Sequence, residues 1–240
     1  MVRALFDLCV RHFIRFGAWL VVRRVMTVRV EGLEHVPRDE PVLFAARHFH
    51  HLYDGALLLV VVPRPVHIIV ALDWVRGRPL RLVMEFICGV ARWPVVLRGD
   101  GLSGGRSAYD VTERGGYMRR ALRDTTRLLR EDHTVVIFPE GYPNVDPGYS
   151  PKAAHGDDAF LPFQPGFIHL AELAQRDRRT PVAIIPTGLV YRRLDNDSRG
   201  RTWAVTLRFG APIYVTSRTD RDRILRAVED QVRALSGLAM

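Results

Sequence analysis

Residues 47–55 read Arg47-His48-Phe49-His50-His51-Leu52-Tyr53-Asp54-Gly55, a polar stretch set between two apolar runs. The run before it, Val42-Leu43-Phe44-Ala45-Ala46, is short and uncharged, the pattern of a strand buried on both faces. The run after it, Ala56 to Val62, is stopped by Pro63 and Pro65 and predicts a helix over 54–62. A buried strand, a polar turn and a helix in succession predict an α/β fold, in which ligands gather at the carboxyl ends of the strands. Titratable groups between two hydrophobic elements are costly unless they pair with one another or face a cleft. Three readings of the stretch follow. A histidine and Asp54 serve as base and orienter for a hydroxyl nucleophile, or the same residues hold a metal, or they cap a helix and do no chemistry.

Working outward toward the amino terminus, residues 27–38 alternate and then turn at Gly32 and Pro37, which predicts a short strand and a loop. Residues 4–26 carry Leu5, Phe6, Phe13, Phe16, Trp19 and Leu20 among arginines. The longest uncharged run there, Phe16 to Val22, falls well short of the roughly 20 apolar residues of a membrane span. The expectation is an amphipathic helix over 1–26, either lying in the plane of a membrane or packed on the domain as an ordinary surface helix.

Toward the carboxyl terminus the apolar runs recur. Strands are expected at Val66–Leu72, Trp93–Arg98, Thr134–Phe138, Pro181–Pro186 and Trp203–Phe209, with Pro212–Val215 extended. Helices are expected at Arg78–Val90, with Leu80, Val83, Met84 and Ile87 inward, across Met118–Leu129, over Gly166–Arg176, and after a Thr219 cap. Residues 143–162 are rich in Pro, Gly and Asp without periodicity, so a functional or mobile loop is expected there. Asn196-Asp197-Ser198 fits a glycosylation sequon, and with no secretory signal in view it reads as a surface turn. No repeat or linker divides the chain. The prediction is a single α/β domain over 27–240 with a mixed, mostly parallel central sheet flanked by helices, preceded by the amphipathic helix.

Composition limits the partners. The 240 residues carry a net charge of +9, and nearly every basic residue is arginine, Lys152 being the only lysine. Such a surface seeks anionic lipid, a phosphorylated substrate or nucleic acid. Cys9 and Cys88 match no metal or disulfide framework, which suits a reducing compartment.

Four segments that each end a predicted strand can meet at one sheet edge. They are the His/Asp stretch, Val95-Val96-Leu97-Arg98, Phe138-Pro139-Glu140-Gly141, and Ala183-Ile184-Ile185-Pro186. In this order they resemble the glycerolipid acyltransferase family, whose best-known members are 1-acylglycerol-3-phosphate acyltransferases. Val30-Glu31-Gly32-Leu33-Glu34-His35-Val36-Pro37, Phe163-Gln164-Pro165-Gly166 and Phe209-Gly210-Ala211-Pro212-Ile213 extend the likeness over nearly the whole chain. The family's first block places four residues between histidine and aspartate. Here His48 lies six positions before Asp54 and His50 lies four before it, so both are candidates. Tyr142 stands where the family has a small hydroxyl residue, and Gln164 where it has lysine.

The resemblance implies transfer of an acyl group from acyl-CoA or acyl carrier protein to the hydroxyl of a lysophospholipid. It implies His48 as general base with Asp54 as orienter, His50 being the alternative base. Arg98, Glu140 and Gly141 are then the acceptor-binding residues. Arg98 would hold a phosphate, and Glu140 would orient the acceptor hydroxyl or Arg98. No cofactor and no metal are expected. The expected setting is peripheral, on an anionic membrane at its cytoplasmic face, without nucleic acid.

Two rivals compete with this reading. His48-x-His50-His51-x-x-Asp54 is superficially similar to a metallo-β-lactamase block and suggests a metal-dependent hydrolase, although the aspartate spacing differs. A non-catalytic basic module on membrane or nucleic acid explains the charge but not Phe-Pro-Glu-Gly, and no helix-turn-helix, RNP-like stretch or zinc finger is visible.

Overall fold

The computed structural model describes residues 2–99, 107–146, 150–152, 155–176, 181–195, 197–215 and 220–238, with 2–7 described by backbone alone. The expected Thr219 cap, Asn196 of the sequon and most of the segment after Arg98 lie outside the described residues. The helices are α1 (Val2–Val25), α2 (Tyr53–Val61), α3 (Arg78–Ala91), α4 (Arg114–Arg130), α5 (Gly166–Gln175) and α6 (Arg221–Leu235). The strands are β1 (Met26–Glu31), β2 (Val42–Ala46), β3 (Val66–Ile68), β4 (Val70–Ala71), β5 (Val95–Val96), β6 (Thr134–Ile137), β7 (Ala183–Arg193), β8 (Trp203–Phe209) and β9 (Ile213–Tyr214).

The main sheet runs β1-β8-β7-β2-β6-β3, with β9 also paired to β7. β2 is parallel to β6 and β7, β3 to β6, and β1 to β8, while β7 pairs antiparallel with β8 and β9. This is the mixed, mostly parallel sheet that the strand pattern predicts. β2 lies inside it, and all five of its residues are buried. Its side chains alternate between two cores, as a period of two demands. Val42, Phe44 and Ala46 join Leu57 and Leu58 of α2 and Ala18 and Val22 of α1 on one face. Leu43 and Ala45 join Leu128 of α4, Phe167 of α5 and Val228 of α6 on the other. Each fully buried Leu or Phe contributes roughly 1.5–3 kcal/mol by leaving water. Gly188 lets α6 close on β7, because a Cβ there would lie 2.4 Å from the Leu235 carbonyl carbon.

Four expectations are corrected. The run 66–72 is not one strand: β3 belongs to the main sheet, but the chain then leaves it, and β4 pairs with β5 in a separate two-stranded ribbon. The expected strand 93–98 is only Val95–Val96, for the same reason. The apolar face of α3 does not point inward. Cys88 and Ala91 are its buried residues, whereas Leu80, Leu82, Val83, Phe86 and Ile87 are exposed. Periodicity located the stripe but could not tell a protein core from another apolar medium. β7 also continues past Pro186 to Arg193, because its second half pairs with β8. Asp220 caps α6, its side chain accepting from the Asp222 N–H.

α1 is docked on the domain through Ala18 and Val22, while Leu8, Phe13, Phe16, Trp19 and Leu20 stay exposed. Among the described residues, no helix is long and apolar enough to cross a membrane.

Candidate active site

β2 ends at Ala46 and delivers Arg47 and His48 to the carboxyl edge of the sheet, and α2 begins again at Tyr53. The turn between them wraps around one carboxylate. Asp54, in the first turn of α2, is fully buried. Its Oδ2 accepts from His48 Nδ1 at 2.9 Å, from the Phe49 N–H at 2.7 Å and from the His50 N–H at 2.9 Å. Its Oδ1 accepts from the Tyr191 hydroxyl at 2.7 Å. The extra residue in the turn is thus absorbed by two backbone N–H groups that point at the aspartate. Burial above all, and the neighbouring Asp54 charge next, push the Tyr191 phenol far above its ordinary range, so it remains a donor.

His48 is the histidine brought to Asp54. Its side chain is 13% exposed and its ring stacks on Phe138 at 4.1 Å between centroids. With Nδ1–H committed to the carboxylate, the lone pair of Nε2 is the basic position, a tautomer assigned from the hydrogen-bond network. His50 is placed differently. Its Nδ1 accepts from the Leu52 and Tyr53 N–H groups at 3.2 and 3.4 Å, so it caps the start of α2, and its ring stacks on Tyr53 at 3.7 Å. Burial, helped by the neighbouring His51, pulls its pKa from 6.5 to about 4, which keeps it neutral and able to accept. The i, i+4 spacing of His50 and Asp54 brings the His50 backbone, not its ring, to the carboxylate.

The Phe138-Pro139-Glu140-Gly141 turn follows β6, beside β2, and the Gly141 N–H closes it onto the Phe138 carbonyl at 2.9 Å. Gly141 has φ +77°, a left-handed conformation that glycine adopts without steric cost. Glu140 is buried. Its Oε1 accepts from the His48 N–H at 2.8 Å, and its Oε2 accepts from the Leu161 N–H at 2.9 Å and pairs with the Lys152 ammonium. Glu140 therefore does not orient Arg98, as one expectation had it. Arg98 instead donates from Nε to both oxygens of the buried Asp73, at 3.0 and 3.1 Å, and from Nη1 to the Gly141 carbonyl at 2.9 Å. Asp146 lies 3.7 Å away, and the guanidinium covers the Tyr142 ring. The fourth segment closes the edge: the Arg47 N–H donates to the Thr187 carbonyl at 3.0 Å, one residue after Pro186. The four strand ends do meet.

Four participants were not singled out in the sequence. Tyr191 was hidden because its strand was expected to stop at Pro186. Asp73 directly follows an apolar run, the same signal that marked Arg98. Phe138 was seen only as part of its motif. Lys152 sits in the 143–162 segment, and its one signal was being the lone lysine. That segment is tied down where it is described. The Val145 N–H donates to the Phe49 carbonyl, the His51 N–H donates to the Val145 carbonyl, and Arg47 bonds the Asp157 and Leu189 carbonyls. Among the described residues, no three His, Cys, Asp or Glu side chains group as metal ligands.

Comparison with known proteins gives a consistent picture. The family model described as Acyltransferase matches residues 27–190. A lyso-ornithine lipid O-acyltransferase of Brucella abortus (strain 2308) is 26% identical over 162 residues, which is 53% of this chain and 56% of that protein. The chain thus spans little more than half the length of this curated relative. The crystal structure of the 1-acyl-sn-glycerophosphate (LPA) acyltransferase PlsC from Thermotoga maritima superposes with a TM-score of 0.57 at 19% identity. That match takes in 98% of this chain and 80% of the other, and it speaks for the fold.

Proposed function

The chain belongs to the acyltransferase family, and on that premise we propose that it moves a fatty acyl group from acyl-CoA or acyl carrier protein to the hydroxyl of a lysophospholipid such as 1-acyl-glycerol-3-phosphate, with His48 as general base. The observation that carries this reading is the His48–Asp54 pair at 2.9 Å, held by a carboxylate with four donors. Nε2 of His48 takes the hydroxyl proton as the acceptor oxygen attacks the thioester carbonyl. Asp54 stabilises the imidazolium that forms. The carbon–sulfur bond then breaks, the ester remains on the acceptor, and the thiolate recovers the proton. No acyl-enzyme intermediate is required, so the reaction needs no serine or cysteine nucleophile.

The acceptor has a second reading, favoured by one observation. An arginine set to bind phosphate does so with open donors, but the Arg98 guanidinium is already matched by Asp73 and faces Asp146. An acceptor without a phosphate is then the second reading, and the Brucella relative is named for lyso-ornithine lipid, whose headgroup carries an ammonium. The test is a transfer assay on purified protein with labelled palmitoyl-CoA and palmitoyl-acyl carrier protein. The acceptor panel holds 1-acyl-glycerol-3-phosphate, other lysophospholipids and lyso-ornithine lipid. Phosphate-bearing acceptors alone giving product supports the first reading, and lyso-ornithine lipid alone supports the second. No product from any pair sinks the transferase reading.

We also propose peripheral contact with an anionic leaflet at the cytoplasmic face, through α1 and α3 together. The two helices touch. They expose Phe13 (78%), Phe86 (70%) and Leu82 (67%), and Arg11, Arg15 and Arg23 are exposed on α1 as well. Apolar side chains rimmed by cations suit the boundary between headgroups and acyl chains. The variant Leu82→Ser/Phe86→Ser replaces two exposed side chains, so its fold is expected to persist. Its partition onto anionic vesicles is expected to fall at least about tenfold. Unchanged flotation with the vesicles would remove α3 from the contact.

A further inference from the structure

The only lysine of the chain is one of its most deeply buried charged side chains. Lys152 is 1% exposed, although it lies in a segment without regular structure. Its ammonium pairs with Oε2 of Glu140, donates to the His48 carbonyl at 2.8 Å, and reaches Asn144 Oδ1 at 3.3 Å. Glu140, through its other oxygen, holds the His48 N–H at 2.8 Å. One ion pair therefore grips both peptide groups of the same residue: the carboxylate takes the N–H and the ammonium takes the carbonyl.

A buried ion pair is a poor source of stability, because the desolvation of both charges offsets their attraction. Burial does draw the Lys152 pKa below its ordinary value, against the pull of Glu140. A buried carbonyl can be satisfied by a backbone N–H group at no such cost. What the pair supplies is geometry and charge at His48. The ring of His48 is fixed at one end by Asp54 and on its face by Phe138, and the ion pair fixes the backbone from which the ring hangs.

We infer that Lys152 is a positioning residue for transfer, acting with Glu140 as a two-point clamp on the His48 backbone; this rests on the reading of His48 as the base. Asn144 keeps the segment bearing Lys152 in place by donating to the Gly156 and Asp157 carbonyls at 3.0 and 3.3 Å. The stretch after Phe-Pro-Glu-Gly is thereby a fixed wall of the site where it is described, and Lys152 is the peg that joins wall to base.

The charged and titratable groups around His48 come from several elements. They are Asp54 on α2, Glu140 after β6, Lys152 in the segment that follows, and Arg47, His50 and Tyr191 beside them. Removing the ammonium alone takes one positive charge from beside His48 and leaves the Glu140 carboxylate with its two backbone N–H donors. The surroundings of His48 then become more negative, which favours the imidazolium. Removing both charges restores the balance.

The test compares wild type, Lys152→Met, the double variant Lys152→Met/Glu140→Gln, and His48→Ala. Three readouts are taken: kcat and KM against pH, thermal melting, and the titration of the His48 ring by NMR, assigned from its loss in His48→Ala. For Lys152→Met, kcat is expected to fall on the order of 10²-fold, as for a base displaced by about an ångström. KM should stay within about twofold. Both the acid limb of kcat/KM and the ring titration should move to higher pH. In the double variant both should return toward wild type while kcat remains low. An unmoved ring titration in Lys152→Met, even with a lowered melting temperature, would overturn the inference and leave Lys152 as structural support. Transfer surviving in His48→Ala would instead remove the base reading, and the positioning role with it.

Discussion

His48→Ala is expected to lose transfer, with kcat lower on the order of 10³-fold and melting nearly unchanged. General base catalysis by a positioned imidazole is worth about 10² to 10⁴ in rate, and the neighbouring His50 has its acceptor nitrogen taken by two backbone N–H groups. The substitution removes a ring that is stacked on Phe138 and bonded once, to Asp54, so few other contacts depend on it. Asp54 keeps its three other donors, which is why the fold should tolerate the loss. His50→Ala is the contrast. It strips a cap from the first turn of α2 and is expected to cost about 1 kcal/mol in stability, with a much smaller effect on kcat. Single-turnover rates and thermal melts on the two variants separate the roles. Equal losses of kcat in both would sink the assignment of His48 over His50.

Asp54 has the larger part in folding. Asp54→Ala strands His48 Nδ1, the Phe49 and His50 N–H groups and the Tyr191 hydroxyl in a site the aspartate had sealed. An unsatisfied buried donor costs about 1–3 kcal/mol. Two such groups left dry already approach half of the 5–15 kcal/mol that holds a typical domain together. Asp54→Ala is expected to express poorly or to melt far below wild type. Asp54→Asn is the informative variant. Its amide oxygen can still accept at the Oδ2 position, and its NH2 can donate to the Tyr191 oxygen in place of Oδ1. The fold is then kept, but a neutral amide no longer stabilises the imidazolium, and kcat should fall on the order of 10²-fold or more. Circular dichroism melts and kinetics on the pair check this. An Asp54→Ala protein as stable as Asp54→Asn would contradict the buried network.

The fold was legible where sequence pattern maps directly onto burial. Val42–Ala46 and Trp203–Phe209 are the strands that the apolar run and the alternation indicate. The pattern failed where a local run is shared between two partners. Val66–Leu72 looks continuous, yet its first half pairs with β6 and its second with β5, and only the far strands decide the break. The stripe on α3 failed for another reason: amphipathicity reports that a face is apolar and says nothing about what covers it. Within the site, strand-end residues were legible because an α/β sheet presents them together. The order of groups around Asp54 was not, because it depends on a turn with one extra residue and on Tyr191, 137 positions away in sequence. Lys152 illustrates the limit best. Its burial depends on a partner, Glu140, whose own burial depends on Lys152.

The ribbon of β4 and β5 has a further consequence. His48 and Asp54 hang from the central sheet, whereas Arg98 and Asp73 are mounted on the ribbon and on a small core of Leu72, Val75, Cys88, Leu97 and Tyr109. Among the described residues, Val70 and Trp93 border both cores. Asp73 and Arg98 thus stand on a separate core from His48 and Asp54, and Arg98 reaches the turn beside His48 through the Gly141 carbonyl. On the proposed function, a lineage would retune the headgroup it accepts through the ribbon and keep its acylation chemistry on the central sheet, so that recognition and reaction would evolve as separable modules of one polypeptide.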